Sequence, residues 1–122
     1  MNIALWIVQL LTALAFGQHG YLLLFRLERV RTRLVWARSV SVPILRFVGV
    51  AEILGAIGLI APAATGVLPW LTIAAAAGLV SVMALAIVFH LTRHEWRNIV
   101  LNVVLGGLAA FVLEGRLVLE PF

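Results

Sequence analysis

The 122-residue chain is 64% hydrophobic and 11% charged, with a mean hydropathy of +1.15, whereas soluble domains hold about 45–50% apolar and about 25% charged residues. Its nine basic residues are all arginine and give a formal charge of +4; they bracket apolar runs instead of forming a basic face, which points to topology signals and away from nucleic acid. With no cysteine, disulfides, thiolate metal sites, CxxC redox pairs and c-type haem attachment are excluded within this sequence.

Four apolar runs, each long enough to cross a hydrocarbon core of roughly 30 Å, predict an all-α integral membrane four-helix bundle, with 1–122 as a single transmembrane domain. The first span is read at about 3–25. Ala13-Leu14-Ala15 mimics a signal-peptide cleavage site, but no positive charge precedes the run and it continues through Leu22 and Phe25, so a retained span is expected. Arg26, Arg29, Arg31 and Arg33 stop it. Leu27, Val30 and Leu34 recur among these arginines at helical spacing, which suggests a short interfacial helix or loop, with Trp36 at headgroup level.

The second span is expected at about 44–61, closed by a turn at Pro62 and Ala63-Ala64-Thr65-Gly66; the third at 67–90; and the fourth at 98–113, after the polar Thr92-to-Arg97 connection. Arg26, Arg29, Arg31, Arg33, Arg38, Arg46, Arg93 and Arg97 lie in or beside the first and third connections, and only Arg116 lies opposite. Eight against one orients the chain under the positive-inside rule, with both termini outside the cytoplasm. Trp6 and Trp70 on one side, with Trp36 and Trp96 on the other, suit the two interfacial belts.

Small residues mark where helices approach in lipid. The expected stripes are Ala13, Gly17 and Gly20; Gly49, Gly55 and Ala56; Ala74, Gly78 and Ser81; and Gly106 and Ala110.

Glu52 is the most informative residue, because a charge at the centre of a span costs about 2.5–3.5 kcal/mol on insertion scales and needs a partner, a proton or water. Gly49, Gly55 and Ala56 stand three and four residues away, so Glu52 shares the face expected to point inward. His19 lies seven residues before Arg26 and Glu52 six after Arg46, which at about 1.5 Å per residue sets both at similar depth. His90, Asn98, Asn102 and Gln18 complete a set of polar groups in the cytoplasmic half. They predict a pocket or a proton-linked network there, against the plainer reading in which Glu52, His19 and Asn102 only hydrogen-bond across helices. His90 and His94 have the i, i+4 spacing of helical metal ligands, but with no third ligand specified no metal site is assigned. A haem between His19 and His90 has no stronger basis.

The segment from Arg46 through Gly49, Glu52, Gly55 and Gly58 to Pro62 resembles the hallmark of the DoxX-like membrane proteins, as do Gly78-Leu-Val-Ser-Val-Met83, Phe89-His90-Leu91 and Gly115-Arg116. The resemblance is weakest over 24–42, where this chain carries its arginine cluster. It implies a multi-pass protein of the bacterial inner membrane, in a family named for a subunit linked to quinone-dependent sulfur oxidation. By position in the motif it carries over Arg46, Glu52 and His90, without a catalytic role for any of them.

The leading functional expectation is a redox-associated subunit that binds a quinone or similar apolar molecule near Glu52, with His19 or His90 relaying a proton and Arg46 and Asn102 as further ligand candidates. Its partners would be the lipid bilayer and a membrane or peripheral redox protein. The alternatives are a noncatalytic accessory subunit of a larger complex, and a proton-coupled transporter or membrane isomerase, whose transport path would require a homo-oligomer.

Overall fold

The computed structural model describes residues 2–119 and 121. Four long helices dominate: α1 (Asn2–Phe25), α4 (Val42–Thr65), α5 (Trp70–Thr92) and α6 (Trp96–Glu114). Two short helices, α2 (Leu27–Arg33) and α3 (Val35–Arg38), fill the connection after α1, and a π-helical turn over Gly115–Leu119 extends α6. No strand occurs among the described residues. A 24-residue helix such as α4 is about 36 Å long at 1.5 Å per residue, more than a hydrocarbon core of roughly 30 Å requires. All four candidate spans meet the length and hydropathy needed to cross a membrane.

The distribution of polarity fits lipid as solvent. Ile3, Leu14, Phe47 and Leu85 are each at least 70% exposed, whereas Gln9, Thr12, Glu52, Thr72, His90, Asn102 and Arg116 are buried. A water-soluble bundle would reverse that arrangement. α1 packs chiefly on α4, α4 on α5 and α5 on α6, and a smaller contact between α6 and α1 closes the bundle. Phe16, Leu59, Ala76, Leu79, Met83, Ala109 and Val112 build the central core. A second cluster of Leu23, Leu27, Val30, Ala37 and Leu45 seats α2 and α3 against the ends of α1 and α4. The expected interfacial element is therefore two short helices, and Arg38 ties them together by donating from its Nε to the Arg31 carbonyl (2.7 Å) and from its Nη2 to the Thr32 carbonyl (3.1 Å). A cation on the last carbonyls of α2 also complements the helix dipole.

Several boundaries differ from the sequence reading. Pro62 does not turn the chain; α4 continues through it to Thr65 and ends at Gly66, whose φ of +72° gives a left-handed cap. Proline at 62 removes the N–H that would reach the Gly58 carbonyl. The Thr72 hydroxyl on α5 donates to that carbonyl instead, at 3.0 Å, so the helix passes its proline with the freed backbone group satisfied. Pro69 directly precedes α5, which starts at Trp70 and not at 67, and α6 starts at Trp96, two residues earlier than expected.

The small-residue stripes of α1 and α4 pack as expected: a Cβ at Gly20 would lie 2.7 Å from the Gly49 carbonyl oxygen. The stripe on α5 does not. Ala74, Gly78 and Ser81 are exposed, while Ala76 and Leu79 are buried and Ala75 meets Gly58. Gly106 contacts Met83, but Ala110 faces outward.

Candidate functional site

The close approach of α1 and α4 at Gly20 and Gly49 builds the central site. A Cβ at Gly20 would also come within 3.2 Å of the Glu52 Cβ, so the contact that only glycine allows brings the neighbouring side chains together. His19 Nδ1 lies 2.7 Å from Glu52 Oε1. An ionised carboxylate can only accept, so in that state Nδ1–H donates and the imidazole Nε2 is the nitrogen left to exchange a proton. The two groups differ in access: the Glu52 side chain is fully buried, while that of His19 is 34% exposed on the side of the bundle.

Glu52 Oε2 has no hydrogen-bond partner among the described residues. Asn102, on α6, is buried with its Nδ2 likewise unpartnered. Glu52 Oε2 thus remains available as an acceptor and Asn102 Nδ2 as a donor. Gln18, in contrast, is exposed and does not join them.

The other expected residues lie elsewhere. His90 sits at the end of α5, buried, with Nδ1 2.8 Å from Glu95 Oε1. The His90 ring is met edge-on by Trp36 of α3, at 5.2 Å between centroids, and by its neighbour Phe89, at 5.1 Å. Arg93 Nε donates to the same Glu95 oxygen at 3.1 Å. Partial burial alone would raise the Glu95 carboxyl; the hydrogen bonds from His90 and Arg93, with their charges, outweigh it and hold the group below its usual range. His94 does not continue the helical spacing from His90, because α5 ends at Thr92 and His94 takes a left-handed conformation (φ 56°) in the turn. Arg46 is exposed near the start of α4, beside Arg26 and Arg29.

Buried polarity is not confined to the half of the bundle that carries the arginine-rich connections, where the sequence reading placed it. At the opposite end Arg116 is only 4% exposed, donating from Nε to Gln9 Oε1 at 3.0 Å and lying 5.3 Å from the centre of the Trp6 ring. Gln9 in turn donates to the Leu59 carbonyl. A signal existed in the sequence: Gln9, Thr12, Phe16 and Gly20 follow at three- and four-residue spacing, on the face that packs inward.

Open depressions of about 300 and 310 Å³ occur at the two ends of the bundle, one beside Trp70 and Arg116 and one beside Arg26 and Arg46. Neither is lined by His19 or Glu52. A carboxyl group and an imidazole in hydrogen-bond contact can share a proton, and here the imidazole is the more accessible partner.

No curated protein and no solved structure matches the chain. The profile of the DoxX-like family matches residues 7–112, which takes in the α1 to α6 bundle, the His19–Glu52 pair and the Arg46-to-Pro62 segment. The chain belongs to the DoxX-like family of membrane proteins.

Proposed function

We propose that this DoxX-like protein is a redox-associated membrane subunit that binds a quinone, or a similar apolar carbonyl compound, beside His19 and Glu52. The observation that carries the reading is the unequal access of the pair: a fully buried carboxylate bonded to a histidine 34% exposed along a membrane span. Structural polar pairs gain by hiding both partners from lipid. A histidine left at the boundary suits a reactant that arrives dissolved in the bilayer.

Reduction of a quinone to a quinol takes up two electrons and two protons. The electrons are assigned to a partner protein. The contribution of this chain is proton delivery: His19 presents one proton to a quinone oxygen, is reprotonated from water and presents the second, with Glu52 as the hydrogen-bonded partner of the imidazole. Two of the buried atoms without a hydrogen-bond partner suit such a ligand chemically, since Asn102 Nδ2 can donate to a carbonyl oxygen and Glu52 Oε2 can accept from a hydroxyl. The proposal includes a bacterial inner-membrane location with both termini outside the cytoplasm, supported by the eight arginines in or beside the first and third connections against one elsewhere.

The test is extraction of apolar compounds from protein purified in mild detergent, with titration of a short-chain quinone onto wild type and Glu52→Gln. Quinone retained by the wild type and weakened at least tenfold binding in the variant are expected. Absence of quinone from the extract together with equal weak binding by both proteins would remove this reading.

A noncatalytic accessory role is the second reading, and it has its own support. Gly78 and Gly107 open outward with nothing within 4 Å of an added Cβ, the kind of surface against which another membrane helix packs closely. It predicts loss of a co-purifying partner in Gly78→Ile and retention of function in Glu52→Gln.

A further inference from the structure

The helical path breaks between α1 and α2 at Arg26, whose φ of −129° and ψ of 34° lie outside the helical region. The bend brings Arg26 and Arg29 to one side, where Arg46 arrives from α4. These three arginines, with Glu28, Leu24 and Phe25, line the open depression of about 310 Å³. We propose that this depression is a binding site for the phosphate of an anionic phospholipid.

Charge is the first argument. Three guanidinium groups face one carboxylate, and all three arginines are exposed. Among the described residues no side-chain hydrogen bond or ion pair holds the guanidinium groups of Arg26, Arg29 or Arg46, in contrast to Arg38, whose guanidinium bonds the carbonyls of α2. Guanidinium groups bind phosphate oxygens through paired, parallel N–H donors, so a cluster of arginines with uncommitted guanidinium groups suits a phosphate.

Position and shape decide between a lipid and a free anion. Phe25, 68% exposed, is the last residue of a membrane-spanning helix, and Leu24 precedes it. The apolar wall therefore continues directly into the lipid-facing surface of α1. A volume of about 310 Å³ stands at the lower limit of small-molecule sites, about 300–1,000 Å³, which suits a headgroup whose acyl chains lie outside along α1. A free phosphate would use the arginines and leave that wall without a function.

The experiment is native mass spectrometry of the full chain released from bilayers of equal phosphatidylglycerol and phosphatidylcholine content. Wild type is expected to retain phosphatidylglycerol in preference to phosphatidylcholine. Arg26→Gln, Arg29→Gln and Arg46→Gln should each weaken retention about fivefold, as for the removal of one basic residue from an anionic surface. Arg33→Gln, exposed but outside the depression, should leave it unchanged. Equal retention of the two lipids by the wild type would overturn the proposal without recourse to any variant. So would an Arg33→Gln loss as large as that of Arg29→Gln, which indicates diffuse charge, or displacement of the lipid by millimolar inorganic phosphate, which indicates a free-anion site.

Discussion

His19–Glu52 and His90–Glu95 make nearly the same contact, Nδ1 to Oε1 at 2.7 and 2.8 Å, with opposite burial. In the first pair the carboxylate is fully buried and the histidine is 34% exposed; in the second the histidine side chain is 5% exposed and the carboxylate 19%. Glu95 also has Arg93, whereas Glu52 Oε1 meets His19 alone and its Oε2 meets nothing among the described residues. Contact geometry alone does not separate a reactive pair from a fastening one. Burial does: the first pair hides its carboxyl group and leaves its imidazole accessible, the arrangement on which the proposed proton delivery rests, while the second seals a histidine beneath Trp36 in the turn between α5 and α6.

The largest effect should come from His19→Ala. It leaves Glu52 without its partner, and loss of one member of a buried pair costs about 3–5 kcal/mol. Unfolding in detergent should show that loss at neutral pH, and adding Glu52→Gln should recover most of it; additive losses would mean that the two residues are not coupled. Next in size is Gly20→Ala. Its Cβ would stand 2.7 Å from the Gly49 carbonyl oxygen, and forcing extra volume into a packed contact costs about 1–3 kcal/mol. Because α1 must shift away from α4, short-chain quinone affinity should fall alongside thermal stability, whereas a fall in stability alone would detach the crossing from the site.

Glu95→Gln should matter less, about 0.2–1 kcal/mol, since Glu95 lies outside the spans and is partly exposed. A loss comparable to that of His19→Ala would erase the contrast between the pairs. The smallest effect is its pH dependence. The Glu95 carboxyl is held below its ordinary value of 4.5, so its contribution is complete above that value and is lost as pH falls through the lower folded-state value. Amide exchange over 93–96 should therefore accelerate only below about pH 4.5, and constant protection into strong acid would show that the carboxylate does not hold the turn.

The four spans were legible because length and hydropathy suffice to find a membrane helix. Glu52 was legible because glycine and alanine at three and four residues mark the packed face, and counting from the arginines set His19 at its depth. Pro62 misled because its effect depends on a hydroxyl ten residues onward: Thr72 on α5 takes the place of the missing donor. The face of α5 was ambiguous for another reason. Ala74 to Ala77 offers a small residue in every direction, so periodicity could not show that Ala75 and Ala76 face inward and Gly78 outward. Gln9 and Arg116, 107 residues apart, meet only once the bundle closes.

Photolabelling with a quinone analogue in bilayers, mapped by peptide, tests whether His19 meets a bilayer-dissolved ligand. Label is expected to concentrate on α1 around His19, between residues 15 and 22, with Glu52→Gln abolishing it and Glu95→Gln leaving it intact. Label spread evenly over the lipid-facing helices, or unchanged in Glu52→Gln, would contradict that reading.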